Sequence, residues 1–313
     1  MAVNEWSNYV IGGVEAPKAL VCTGYNLVAT DEDSFEYNLD GWAVSQCQMA
    51  RKADITTPQG NFVMESEDSL AAAAGFVYYE IDLGEAIGGK TFVVTCFAKD
   101  STDSTSHTAK IMLTEDITGS GEDHELEFVA SSLGWRKITH TATFDPANVA
   151  TKLYVVLFAR RNPAAPILPV RWDLFKVYEV DGEYSVKVPF PYMQRFEKVL
   201  NYEQTTLDGQ ERESVLGWRY VATLNYEFIN PTDMQPLIRI SEASFVIFYP
   251  HNDHVFSARV RSIGDFEYDY FHNKYLAHTN IFQLRGTEVV KNKPFRVGSG
   301  EEQLRIERME FIF

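Results

Sequence analysis

From Trp218 the large apolar residues fall on alternate positions: Trp218, Tyr220, Ala222, Leu224, Tyr226 and Phe228. Arg219, Thr223, Asn225 and Glu227 lie between them. A period of two held over this length argues for a β-strand with one buried face. Asn230-Pro231 ends the run, with Asn suited to an N-cap and Pro to the first helical turn. Met234, Leu237 and Ile238 then give the apolar stripe of a short helix, although Pro236 interrupts it. The unbroken run Phe245-Val246-Ile247-Phe248-Tyr249 predicts a strand buried on both faces. Pro250-His251-Asn252-Asp253 is turn chemistry, and Val255 to Val260 returns as the partner strand. Two His and one Asp in this region are zinc-type ligands, but a tight turn does not easily converge them. The whole stretch predicts a scaffold and contains no catalytic motif.

The chain has 313 residues and the apolar and charged content of a globular protein, enough for two domains. The formal charge is -16. It is unevenly spread: residues 1–180 carry 13 Lys+Arg against 25 Asp+Glu, and residues 181–313 carry 15 against 19. That balance argues against a nucleic-acid partner, whose phosphates need cationic contacts. No signal peptide is expected from the first residues, and no apolar run is long enough to span a bilayer. Cys22, Cys47 and Cys96 are too few and too scattered for a disulfide framework or a zinc site, which points to folding in a reducing compartment.

Residues 1–18 form an N-terminal arm or a first strand. From Ala19 to Val180 the pattern is all β, with short strand-like runs separated by turn signals such as Gly88-Gly89 and Asp145-Pro146. That spacing predicts a sandwich or jelly roll. Residues 181–188 read as a linker, and residues 189–313 as a second β domain with one short helix. There is no GxSxG, no HExxH and no phosphate-cradling glycine loop. Among the many acids no pair stands in a glycosidase-like setting, so the chain is not expected to be an enzyme.

Several residues in the first domain carry a family likeness. Asn26-Leu27-Val28, Ser34-Phe35-Glu36 and Asp40-Gly41-Trp42 open it, Gly134-Trp135-Arg136-Lys137-Ile138 precedes a strand ending in Thr143-Phe144, and Trp172-Asp173-Leu174-Phe175 closes it. In this order they resemble the galactose-binding-like jelly rolls of carbohydrate-binding modules. The resemblance covers about half the chain and implies two things. Glu36 and Asp173 match positions that hold structural calcium in that family, and aromatic rings serve there as platforms for sugar. Trp42, Tyr78, Tyr79, Trp135 and Trp172 are the candidate platforms. Trp42 and Trp135 are expected in the core, while Tyr78 and Tyr79 point to opposite faces, so that one of them reaches solvent.

The order of elements after residue 189 resembles β-barrel modules of tailed-phage distal-tail and baseplate proteins. Together the two likenesses imply a virion structural protein of the tail or tail tip, made in the host cytoplasm. Its C-terminal domain would assemble into a homo-oligomeric ring with other virion proteins, and its jelly roll would be a decoration or a host-glycan adhesin. The alternative is a free carbohydrate-binding protein, or an accessory subunit of a glycan-degrading system.

Overall fold

The computed structural model describes residues 9–12, 17–29, 33–68, 75–100, 107–117, 121–130, 134–159, 169–189, 192–205, 211–226, 228–251, 254–264, 266–269, 274–277 and 282–286. The N-terminal half contributes β1 (Tyr9–Gly12), β2 (Lys18–Cys22), β3 (Trp42–Ser45), β4 (Cys47–Ala53), β5 (Phe62–Asp68) and β6 (Phe76–Asp82). It continues with β7 (Thr91–Asp100), β8 (His107–Thr114), β9 (Asp123–Ala130), β10 (Arg136–Thr143), β11 (Lys152–Ala159) and β12 (Val170–Ser185). The C-terminal half contributes β13 (Tyr192–Thr205), β14 (Glu211–Leu224), β15 (Phe228–Ile229), α1 (Pro231–Glu242), β16 (Phe245–His251) and β17 (His254–Ile263). β18 (Phe266–Asp269), β19 (Lys274–Ala277) and β20 (Phe282–Gly286) complete it. Among the described residues the protein is all-β with one helix.

Two sheets face each other in the N-terminal half. One has the order β3-β6-β11-β8-β9, and the other runs through β1-β10-β7-β12 with β5 and β4 attached to β12. Their facing side chains make one core that includes Phe35, Trp42, Tyr79, Phe92, Phe144, Leu157, Trp172 and Phe175. Alternation explains which residues enter it. Val77, Tyr79 and Ile81 of β6 go in, as do Leu153, Val155 and Leu157 of β11, and the residues between them face out. Trp42 and Trp135 are buried as expected, at 6% and 1% exposure.

The second sheet does not stop at the sandwich. β2 pairs antiparallel with β12 on one side and with β16 on the other. The sheet then continues through β17, β20, β14 and β13. Of the residues expected as a linker, 181–188, those up to Ser185 are the end of β12 and pair with β2. Proline and glycine signals marked a break, but strand pairing with the N-terminal β2 carries the chain across it. Within the opening segment Tyr9–Gly12 form β1, which lies parallel to β10.

Asn230 stands at the N-cap of α1, with Pro231 in its first turn, and Met234, Leu237 and Ile240 are buried. They pack with Ala19 and Val21 of β2, Leu224, Phe248 and Phe256 in a second core. The paired strands β16 and β17 follow as expected. Asn252 and Asp253 of the expected turn lie outside the described residues.

β2 thus belongs to both halves. Leu20 and Cys22 share a third cluster with Val93, Tyr178, Phe245, Ile247 and Tyr249, while Ala19 and Val21 face α1. On the opposite side Trp218 of β14 packs on Val63, Phe97, Trp135 and Leu174. Cores linked this way unfold together. We expect one transition in urea, coincident by far-ultraviolet circular dichroism and tryptophan fluorescence. Two separated transitions would show independent halves.

Candidate functional site

The outer face of the five-stranded sheet carries a group of aromatic side chains. β6 presents Phe76 and Tyr78 there, and β11 presents Tyr154 and Phe158, each partly exposed. Phe76 lies 5.4 Å from Phe158 and 6.0 Å from Tyr78, centroid to centroid, and Tyr78 lies 6.2 Å from Tyr154. These are ordinary separations for tilted and edge-on ring pairs. Strand register sets the order across the face. One row runs Ala43, Tyr78, Val156, Met112, Glu125, and the next runs Glu80, Tyr154, Thr114, Asp123.

Polar groups hold the rings in place. Lys110 sits 4.1 Å over Phe158 and ion-pairs with Glu125. Lys152 pairs with Glu80. Hydrogen bonds from Lys152 and then Tyr154 hold the Glu80 carboxyl below the usual carboxylate range. Burial, and then its bond to Glu80, push the Tyr154 hydroxyl up. The Lys152–Glu80 pair is open to water and adds little stability, whereas Lys110 is buried against the sheet. The role of both pairs here is to fix the long side chains around the rings.

Of the two tyrosines named from sequence, Tyr78 belongs to this face. Tyr79 is 8% exposed, lies tilted 5.3 Å from Trp42, centroid to centroid, and belongs to the core. Trp172 is fully buried, with Nε1 donating to Ser66 Oγ at 2.9 Å. Sequence reading missed Phe76, Tyr154 and Phe158. Each is an ordinary strand residue until β6 and β11 are known to be neighbours, and no local signal states that pairing.

The predicted calcium residues lie at one end of the sandwich. β12 shifts register between Asp173 and Lys176, and Leu174 has φ 50°. Before this bulge β12 pairs with β5, and after it with β2. Asp173 stands at that switch with no exposure. Its Oδ1 accepts from Leu174 N at 2.8 Å and its Oδ2 from Gln59 N at 3.4 Å. Glu36 Oε1 accepts from Asn61 N at 2.7 Å and from Phe62 N at 2.9 Å. The two carboxyls therefore grip the same 59–62 segment. A Cβ on Gly60, which has φ +67°, would fall 1.8 Å from Glu36 Oε1, so the grip needs glycine there.

Burial pushes the Asp173 carboxyl well above its usual range; the two N–H bonds oppose this, and the charges of Glu36 and Asp33 add to it. Among the described residues no group of three or more His, Cys, Asp or Glu side chains could hold a metal ion. A hard cation here would thus take Glu36 and Asp173 as its carboxylates and complete its shell with backbone carbonyls and water. Oxygen donors with an uncompensated negative charge fit that chemistry.

No family model matches the chain, and no curated protein matches it. Solved structures do align with it. The CBM22-1 xylan-binding domain of Paenibacillus barcinonensis Xyn10C is 14% identical, with a TM-score of 0.40, over 54% of this chain and 99% of that one. The CBM22-1–CBM22-2 tandem of the same protein is 12% identical at 0.41, over 87% and 86%. The enzymatically active domain of bacteriophage CBA120 tailspike protein 4 is 13% identical at 0.36, over 50% and 21%.

Proposed function

We propose that the chain is a glycan-binding protein that acts by contact and not by turnover. The aromatic face of the five-stranded sheet is its binding surface. Four clustered, partly exposed rings on one rigid sheet carry this reading. Such rings offer flat apolar surface to the C–H faces of sugars, and the neighbouring carboxylates accept from sugar hydroxyls. A rigid platform loses little entropy on binding. Isothermal titration with soluble oligosaccharides, with and without the Tyr78→Ala/Phe158→Ala change, tests it. Binding that survives the double change would overturn it.

A second reading, a virion tail component that presents this face to a host glycan, is favoured by the edge of the large sheet. β13 is 14 residues long and, among the described residues, ends the strand order, paired on one side by β14. Such an edge is a template for another chain. In this reading the C-terminal half joins an oligomer with other virion proteins. Light scattering of the full chain over a concentration series is expected to give a closed oligomer, and a strict monomer at every concentration counts against self-assembly. The full chain is required, because Ala19 and Val21 belong to the C-terminal core.

Calcium bound by Glu36 and Asp173 would supply the counter-charge that the buried carboxyl lacks. The sign of the metal-free behaviour follows from the raised Asp173 pKa. A carboxyl raised in the fold stabilises it below about pH 3.9, the unfolded value, and that contribution is lost as pH rises through the folded value. In EDTA the melting temperature is therefore expected to fall as pH rises above about 3.9, and Asp173→Asn to flatten that slope. Calcium at pH 7 is expected to raise the wild-type melting temperature and leave the variant unmoved. No response of the wild type to calcium would remove the metal from this account.

A further inference from the structure

The same face has a charge pattern that says which glycans it takes. This inference rests on the glycan-binding reading above. Alternation places Glu80 and Asp82 of β6 and Asp123, Glu125 and Glu127 of β9 on the outer side, since the residues between them meet the core. Among the described residues, the cations on the outer side of these strands and of β8 and β11 are Lys110 and Lys152. Both are already engaged, Lys110 with Glu125 and Lys152 with Glu80. Lys110 is moreover 6% exposed and lies against the Phe158 ring, so its charge is turned into the sheet rather than toward a ligand. The acids are exposed. Five carboxylates against two ammonium groups leave the face net negative, with the acids of β9 along one side of the rings and those of β6 at their end.

The rings reinforce this sign. An aromatic face is the negative end of a quadrupole and attracts cations. A ligand lying on Tyr78 and Phe158 thus meets negative potential from below and from the β9 side. Hydroxyl and ammonium groups donate to carboxylates, whereas sugar carboxylates and sulfates find repulsion and, among the described residues, no free donor of matching charge. We infer that the face is charge-selective: it favours glycans bearing free amino groups, accepts neutral ones more weakly, and rejects anionic ones.

Three hexaoses test this with the full chain: glucosamine, N-acetylglucosamine and galacturonic acid. The first two share a backbone and differ in charge. At 20 mM salt the amino hexaose is expected to bind at least about tenfold more tightly than its acetylated form, and the uronate not measurably. At 0.5 M salt the preference is expected to shrink to a few-fold, as screening requires. Glu127→Gln with Asp123→Asn is expected to lower the affinity for the amino hexaose more than that for the neutral one. The Tyr78→Ala/Phe158→Ala change is expected to remove binding of both.

Equal or tighter binding of the uronate, or a preference indifferent to salt, would overturn the charge inference and leave the glycan reading standing. Amino-hexaose binding that survives loss of the rings would assign it to the overall acidity of the chain, and this too would overturn the inference. If no hexaose binds, the glycan reading itself fails. Self-association lost in the ring variant would then make the face a contact between copies.

Discussion

Replacing Tyr78 and Phe158 together by alanine is expected to cut glycan affinity by at least about a hundredfold, or ~3 kcal/mol, to below what calorimetry detects, without moving the melting temperature by more than a few degrees. Tyr78 stands inside the aromatic group between Tyr154 and Phe76, and Phe158 closes it beside Phe76. Central aromatic anchors dominate binding energy, with losses of roughly 2 kcal/mol or more when one is truncated. Neither ring belongs to the buried cluster between the sheets, so their loss opens no cavity there. Lys110 loses its ring partner but keeps Glu125. Titration calorimetry and a thermal melt on the same samples separate the two effects. A large melting shift would show that the rings hold up the sheet instead of receiving a ligand.

The largest loss of stability is expected from Trp172→Ala, at about 3–5 kcal/mol. Trp172 has no exposure, sits 5.9 Å edge-on to Phe128 and 6.4 Å from Phe175, and joins the two facing sheets. Its removal leaves a cavity under β12 and an unpartnered Ser66 hydroxyl, each with its own cost. Urea unfolding measures it. Trp172→Phe, which keeps most of the ring volume, is expected to lose about half as much. A loss near 1 kcal/mol for the alanine variant would mean that the sheets close over the gap.

Residue alternation made much of this architecture legible before any coordinates. The period-two run from Trp218, the Asn230-Pro231 helix start and the apolar Phe245–Tyr249 strand all stand in the fold as β14, α1 and β16. The opposite orientation of Tyr78 and Tyr79 was also readable, because adjacent strand residues must diverge. Which of the two faced outward was not readable, since that depends on which side of β6 meets the other sheet.

The same limit explains the rest. Phe76 and Phe158 are 82 positions apart in number and become neighbours only through the β6–β11 register. The pairing of Lys18–Cys22 with both β12 and β16 joins segments about 160 and 225 residues away, and no local pattern records it. Glu36 and Asp173 were placed by family likeness. Their shared hold on residues 59–62 is a product of the bulge in β12, whose residues Leu174 and Phe175 look like ordinary strand.

A strand held between two halves also has a mechanical meaning. β2 is bonded through five residue pairs to β12 and through five to β16. When the aromatic face is held by a surface and the C-terminal half is pulled along the strand direction, the load falls on those rows of hydrogen bonds at once, in shear. Peeling would open them one at a time. A binding face joined to its base in this way can bear a sustained tug, which a flexible tether between two separate domains would convert into slack.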